Sequence, residues 1–305
     1  MRAEFLLKAL NKLVMLIILL FMVVLLLNLP KSIKYGSAMD PEIANKGMRV
    51  GNVILMIDGN QLKTGVTDYL KTLSSGTLGK NRRNRDVGEQ IAVATKRTLT
   101  LLSLSLVISL VLGVLKGIYD SKKSKRNSKD LKLLSTVFFL SIPDIFTIIV
   151  LQSLAVWLSK QGIKWFPVIA NESALSLVFP IVGLSLIPMN YISRITAVSI
   201  ESIYSKPYVT TAIGKGASKI RTLWVHVFRN AIVEILGAFS SIAAMIFSSI
   251  LLVEYMFSYP GLAYTMFAYF TDTNVVIAAA IVFALLFYII DLLFSSVKYM
   301  LTPIK

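Results

Sequence analysis

The apolar residues of this chain fall into blocks rather than stripes. Residues 13–29, 99–115, 175–192, 235–253 and 275–290 hold no Asp, Glu, Lys or Arg, and residues 131–158 hold only Lys132 and Asp144. A helix crossing the hydrocarbon core of a bilayer needs about 20 mostly apolar residues, within a range of about 17 to 25. Six such blocks predict six membrane-spanning helices, at about 13–29, 98–115, 133–158, 175–192, 231–253 and 275–294. The first block follows a basic start, as a secretory leader would. It is longer than the roughly 7 to 15 apolar residues of a leader, and the "NLPKSIKYG" after it offers no small-residue cleavage site. It reads as a retained anchor.

These blocks divide the chain into two parts. Residues 1–90 give the anchor and a polar outer segment, and residues 91–305 give a five-span core with short connections. Pro143, Pro180 and Pro188 lie within spans, where each removes a backbone donor and is expected to kink its helix.

Composition sharpens this picture. The 305 residues are 55% hydrophobic and 16% charged, well below the roughly 25% charged residues of a soluble domain. A net charge of +16 could suggest nucleic acid, but the basic residues sit in particular loops. Residues 116–132 carry seven Lys and Arg and residues 194–229 carry six, whereas residues 159–173 carry two and residues 255–274 none. Short loops rich in Lys and Arg remain cytoplasmic, which predicts both termini inside and basic loops against anionic lipid headgroups. Residues 31–97 hold twelve Lys and Arg on the predicted outer side. That segment exceeds the roughly 60 residues beyond which the rule loses force.

Catalytic and metal-binding patterns are scarce. The chain has no cysteine and a single histidine, His226. No phosphate-binding Gly-x-x-x-x-Gly-Lys-Ser/Thr loop is present, since the Gly-Lys pairs at 79–80 and 214–215 lack the earlier glycine. Four acids fall in or beside the spans: Asp144, Glu234, Glu254 and Asp291. Charged groups in spans are costly and tend to face a bundle interior or an aqueous path. Glu234 and Glu254 lie near span ends, where interfacial water would solvate them. Asp144 lies about 13 residues, roughly 20 Å, from the inner end of its span. Beside Pro143 it is a candidate for the lining of a translocation path, with a hydrogen-bonded packing role as the alternative.

The remaining polar stretch, "ESIYSKPYVTTAIGKGASKIRTLWVHVFRN" at residues 201–230, lies between the fourth and fifth blocks. Ser205 can cap a helix that Pro207 opens. Gly214 or Gly216 can end it at positive φ, and a second helix from about Ala217 to Phe228 would run into the fifth span. On composition alone the stretch could equally be a solvated basic loop.

These residues resemble the cytoplasmic "EAA" loop of binding-protein-dependent ABC importer permeases, in the dipeptide, oligopeptide and nickel branch. The matching positions are Tyr208, Val209, Thr211, Ala212, Lys215, Gly216, His226, Arg229 and Asn230, in the branch's order and spacing. Further likenesses are "MDP" at 39–41, "GTLG" at 76–79, "SIP" at 141–143 and "VEYMFSYPGLA" at 253–263. Glu234 replaces a common proline, Lys96-Arg97 a common Leu-Pro, and "TPIK" the usual ending, which marks a divergent member.

The resemblance implies an all-α polytopic permease with six spans and a helix-turn-helix coupling loop at 201–229 between spans four and five. It implies a bacterial plasma-membrane location and a partnership with a second homologous permease, two cytoplasmic ABC ATPases and an extracytoplasmic solute-binding protein. ATP and Mg would be bound on the ATPases, with no cofactor or catalytic residue on this chain and no nucleic-acid partner. Glu254, Pro260 and Gly261 would belong to an outer loop or gate near which substrate is delivered. The cargo implied is peptide, with nickel or a metal chelate as the alternative. An ATPase-independent channel or secondary transporter is the remoter reading.

Overall fold

The computed structural model describes residues 2–36, 48–50, 53–121, 134, 136–163, 169 and 174–301. Its helices are α1 (Arg2–Ser32), α2 (Gly59–Ser74), α3 (Val87–Asp120), α4 (Asp144–Lys160), α5 (Val178–Tyr204), α6 (Pro207–Gly214), α7 (Lys219–Arg221), α8 (Arg229–Gly237), α9 (Phe239–Met256), α10 (Leu262–Ala268) and α11 (Thr273–Leu301). Five helical stretches are long and apolar enough to cross a membrane: 10–32, 87–120, 174–204, 239–256 and 273–300. They carry many exposed large apolar side chains, among them Met15, Ile17, Phe21, Val107 and Leu293. Such faces suit hydrocarbon, where a helix satisfies its own backbone polar groups.

The chain separates into two compact units. The first comprises Met1–Lys96 and Gly261–Leu285. It contains a three-stranded antiparallel sheet, ordered β1 (Ile33–Gly36), β3 (Val53–Ile57), β2 (Met48–Val50). In register, Ile33 faces Ile57 and Met48 faces Leu55. The expected all-α chain therefore needs correcting: these strands are too short to show as blocks. Helix α2 begins where Asp58 accepts hydrogen bonds from the N–H groups of Asn60 and Gln61. Lys34 lies 3.0 Å from the same carboxylate and, with the cap, holds it below the usual carboxylate range. The buried side of α2, Val66 and Tyr69, packs with Val24, Ile277 and Ile281. Burial pushes the Tyr69 hydroxyl up to about 12.

The second unit comprises Arg97–Pro260 and Leu286–Lys305. Within it, α3 packs closely against α5. A Cβ placed on Gly113 would lie 2.8 Å from both the Ile192 Cβ and the Met189 carbonyl. One on Gly117 would lie 2.5 Å from the Thr196 Cβ and 2.7 Å from the Ser193 carbonyl. One and two turns above, the Ser185 hydroxyl donates to the Ser105 carbonyl at 3.1 Å and the Ser109 hydroxyl donates to the Ser185 carbonyl at 3.2 Å. Small residues four apart let two backbones meet and their hydroxyls bond across, as is common between membrane helices.

Several element limits differ from expectation. Helix α3 starts at Val87, not near 98, because Asp86 accepts from the Gly88 N–H and the polar residues before the apolar block continue the helix. The 131–158 block is not one helix. Residues 136–141 are helical, Pro143 is extended (φ −60°, ψ 139°), and α4 restarts at Asp144 for 17 residues. Pro143 thus breaks its span, since proline lacks the donor and crowds the preceding turn. Pro180 lies in the first turn of α5, where no donor is needed, and α5 runs on through Pro188 to Tyr204. The fifth apolar block is divided at Ala238 into α8 and α9.

Candidate functional site

The loop after α5 folds as two short helices reversed by a glycine. Ser205 ends α5 rather than capping the next helix: its hydroxyl donates to Ser202 O, and α6 starts with Lys206 extended and Pro207 first. The Thr211 hydroxyl donates to Pro207 O at 3.0 Å. Lys215 closes α6, and Gly216 turns the chain at φ +85°. The Gly216 N–H reaches Ile213 O at 2.9 Å and the Ala217 N–H reaches Ala212 O at 3.1 Å. Nothing lies within 4 Å of a Cβ built on Gly216, so conformation rather than space selects glycine there. The next helix starts at Lys219, not Ala217, with the Ser218 hydroxyl accepting from Arg221 N–H. It then widens into a π-helical segment, Thr222–Phe228, before α8.

One face of this loop is anchored and the other is open. Val209 and Val227 are fully buried with Ile200, Ile203 and Ala231. The Asn230 amide donates to the Tyr208 hydroxyl at 3.0 Å and to His226 O at 2.9 Å. Tyr208, 22 residues before Asn230, is thereby brought to His226 and Asn230. Thr211, Lys215, Gly216 and Arg229 are exposed, and Ala212 is half-buried. Tyr208, Ile213, Ile220, Trp224 and Val225 are exposed apolar side chains on the same small unit, and Trp224 meets Phe228 edge-on at 5.0 Å.

Each intramembrane acid accepts a hydroxyl hydrogen bond from another helix. Asp144, half-buried in the first turn after the Pro143 break, accepts from Ser249. Glu254 is fully buried, not solvated at a span end, and accepts from the Thr98 hydroxyl at 2.6 Å. Asp291 accepts from Ser240, and the exposed Glu234 accepts from Ser199. Near Glu254 the chain turns outward through Ser258 at φ +51°, with Tyr259 N–H on the Glu254 carbonyl at 2.8 Å. Pro260 is half-buried. Gly261, buried, precedes α10 and its carbonyl accepts from the Thr265 hydroxyl at 2.7 Å.

Sequence reasoning missed one cluster at the other end of α3. The Lys116 ammonium donates to Asp120 at 3.0 Å, to the Thr136 hydroxyl at 2.6 Å and to the Ser193 hydroxyl at 3.4 Å. The Ser193 hydroxyl also donates to Asp120 at 3.1 Å. Lys116 had been counted among the loop's basic residues. Its four-residue spacing from Asp120 was the available sign of a helical ion pair.

Comparison with known proteins places the chain in a family. Residues 109–303 match the family model described as "Binding-protein-dependent transport system inner membrane component". The chain belongs to that family. Its relatives include the dipeptide transport system permease protein DppB of Alkalihalophilus pseudofirmus, 23% identical over 75% of this chain and 78% of that one. The oligopeptide transport system permease protein AppB of Bacillus subtilis is 26% identical over 72% and 73%. Among solved structures, an amino acid ABC transporter matches with TM-score 0.53 at 16% identity, over 70% of this chain and 92% of that one. A bacterial ABC transporter involved in import of the acidic polysaccharide alginate matches with TM-score 0.54 at 17% identity, over 70% and 81%. These structures share the fold.

Proposed function

We propose that this chain is a six-span permease subunit of an ATP-driven peptide importer, with both termini in the cytoplasm. The sixth span is the block interrupted at Pro143, whose two helical pieces together make up the length that α4 alone lacks. The observation that carries the reading is the loop from α6 to the π-helical segment. It is a small helical unit fixed to α5 by a buried core and by the Tyr208–Asn230 bond, yet it presents apolar side chains to water. Exposed apolar clusters with a polar rim mark protein-docking surfaces. The relatives named for dipeptide and oligopeptide transport support peptide as the cargo. In this reading the loop docks on one of two cytoplasmic ATPases that bind ATP and Mg, and a second homologous permease completes the pore. Asp144 and Pro143 line the path, and Glu254, buried at the end of α9, forms an outer gate with Pro260 and Gly261 of the loop that follows.

Ala212→Glu tests the docking role. Charge on the half-buried face of α6 should leave membrane abundance normal while abolishing uptake and co-purification of the ATPase. Normal uptake by this variant would reduce the loop to a connector. Cysteines at Ser124 and at the exposed Thr271, beside Asp272, test orientation: an impermeant thiol reagent on intact cells should label only the second.

A further inference from the structure

The turn at residues 79–88 has no role in the reading above. The Val87 N–H reaches Gly79 O at 3.1 Å, and Lys80 and Asp86 pair as an antiparallel bridge. Asn81 organises the tip: its N–H donates to Arg85 O at 3.0 Å, and its side-chain oxygen accepts from the N–H groups of Arg83 and Arg85 at 2.9 and 3.0 Å. Asn84 adopts φ +57°, which asparagine tolerates better than most residues. Two further bonds fasten the hairpin to the start of α11 and the residue before it. The Asp272 carboxylate accepts from Arg82 N–H at 2.7 Å, and the Asn274 amide donates to Lys80 O at 3.1 Å. The backbone is thus fixed without using a single guanidinium group.

Lys80, Arg82, Arg83 and Arg85 are all exposed. Among the described residues no carboxylate pairs with any of these three arginines. A rigid group of like charges with no internal partner is destabilising by self-repulsion.

We infer that this hairpin is a docking site for a carboxylate-rich protein surface on the outer side, that of the solute-binding protein; this rests on the topology and importer reading proposed above. One observation favours protein over lipid. Recognition of anionic lipid needs only a loose cluster of basic residues, whereas fixing the backbone beforehand favours a partner of defined shape. Arginine in three of the four positions suits this, since its planar fork binds carboxylates in pairs.

The test uses the assembled importer in vesicles and the solute-binding protein whose loss from cells abolishes the same uptake. Stimulation of ATP hydrolysis is titrated with that protein, in phosphatidylcholine vesicles and in vesicles containing phosphatidylglycerol. In the Arg82→Gln/Arg83→Gln/Arg85→Gln variant the half-saturating concentration should rise about tenfold in both lipids, as expected for lost electrostatic steering. Arg82→Lys/Arg83→Lys/Arg85→Lys should fall between the two. For the unaltered protein, raising ionic strength from about 0.01 M to about 0.15 M shortens the screening length from about 30 to about 8 Å, and should weaken binding more than in the Gln variant. Equal half-saturation of variant and unaltered protein overturns the inference alone. A defect confined to phosphatidylglycerol vesicles overturns it in favour of headgroup docking. No stimulation of the unaltered importer removes the importer reading with it.

Discussion

The contact of α3 with α5 and the turn after α6 both depend on glycine, for opposite reasons. At Gly113 and Gly117 the backbone is ordinary helix and the surroundings forbid a side chain, with neighbouring atoms 2.5 to 2.8 Å from where Cβ would stand. At Gly216 the surroundings are empty within 4 Å and the backbone, at φ +85°, disfavours a side chain. One is a packing requirement inside the membrane, the other a conformational requirement at its surface. A substitution should therefore strike assembly in the first region and coupling in the second.

Gly117→Leu should have the largest effect. Its side chain has no room beside Thr196 and the Ser193 carbonyl, and overpacking of this kind costs about 1 to 3 kcal/mol or more. The amount of monodisperse protein extracted from membranes should drop sharply; normal yield would show that the two helices can separate freely. Gly216→Val should cost about 1 to 2 kcal/mol locally, too little to remove spans from the bilayer. Membrane abundance should stay normal while uptake and ATPase association fall, and Gly216→Asn should be milder because asparagine accepts positive φ.

Asp144→Asn separates path from packing. It keeps a hydrogen-bonding partner for Ser249 while removing the charge, so uptake should fall several-fold at normal abundance if the charge faces the path. Unchanged uptake would make the Asp144–Ser249 bond a packing contact. The smallest effect is expected at Gly214, two residues from Gly216. It ends α6 with open space around it and no positive φ. Gly214→Ala should leave uptake unchanged and raise helix stability by at most about 1 kcal/mol. A Gly214→Ala defect as severe as that of Gly216→Val would remove the conformational distinction.

The sequence made some of these features visible and concealed others. The loop after α5 was readable because Pro207 and Gly216 each carry a local rule, and the structure adds the Tyr208–Asn230 bond that ties its two halves together. The break at Pro143 followed from proline's missing donor. The spacing of Ser105, Ser109, Gly113 and Gly117 was also present, but uniform apolar blocks hide which face of a span packs. The fates of Glu254 and Lys116 depended on Thr98, Thr136 and Ser193, more than a dozen residues away along the chain, which no local pattern could supply. The sheet at residues 33–57 was invisible for a simpler reason: strands of three to five residues leave no periodic signal.

The π-helical segment Thr222–Phe228 has a mechanical corollary. It stands between the helix that opens at Ser218 and the one that continues through Arg229–Gly237. Its hydrogen bonds skip one residue more than those of an α-helix, so it holds about one residue of slack winding. The buried Thr222 hydroxyl lies within it without a partner among the described residues. If those bonds tightened to the α pattern, the slack would have to leave as rotation, about 100° for one residue. Because Val227 and Ala231 are clamped in the core beneath the loop, such a rotation could not dissipate there without repacking it. A change in its hydrogen bonding would therefore be felt in the core that Val227 and Ala231 share with Ile200 and Ile203 of α5.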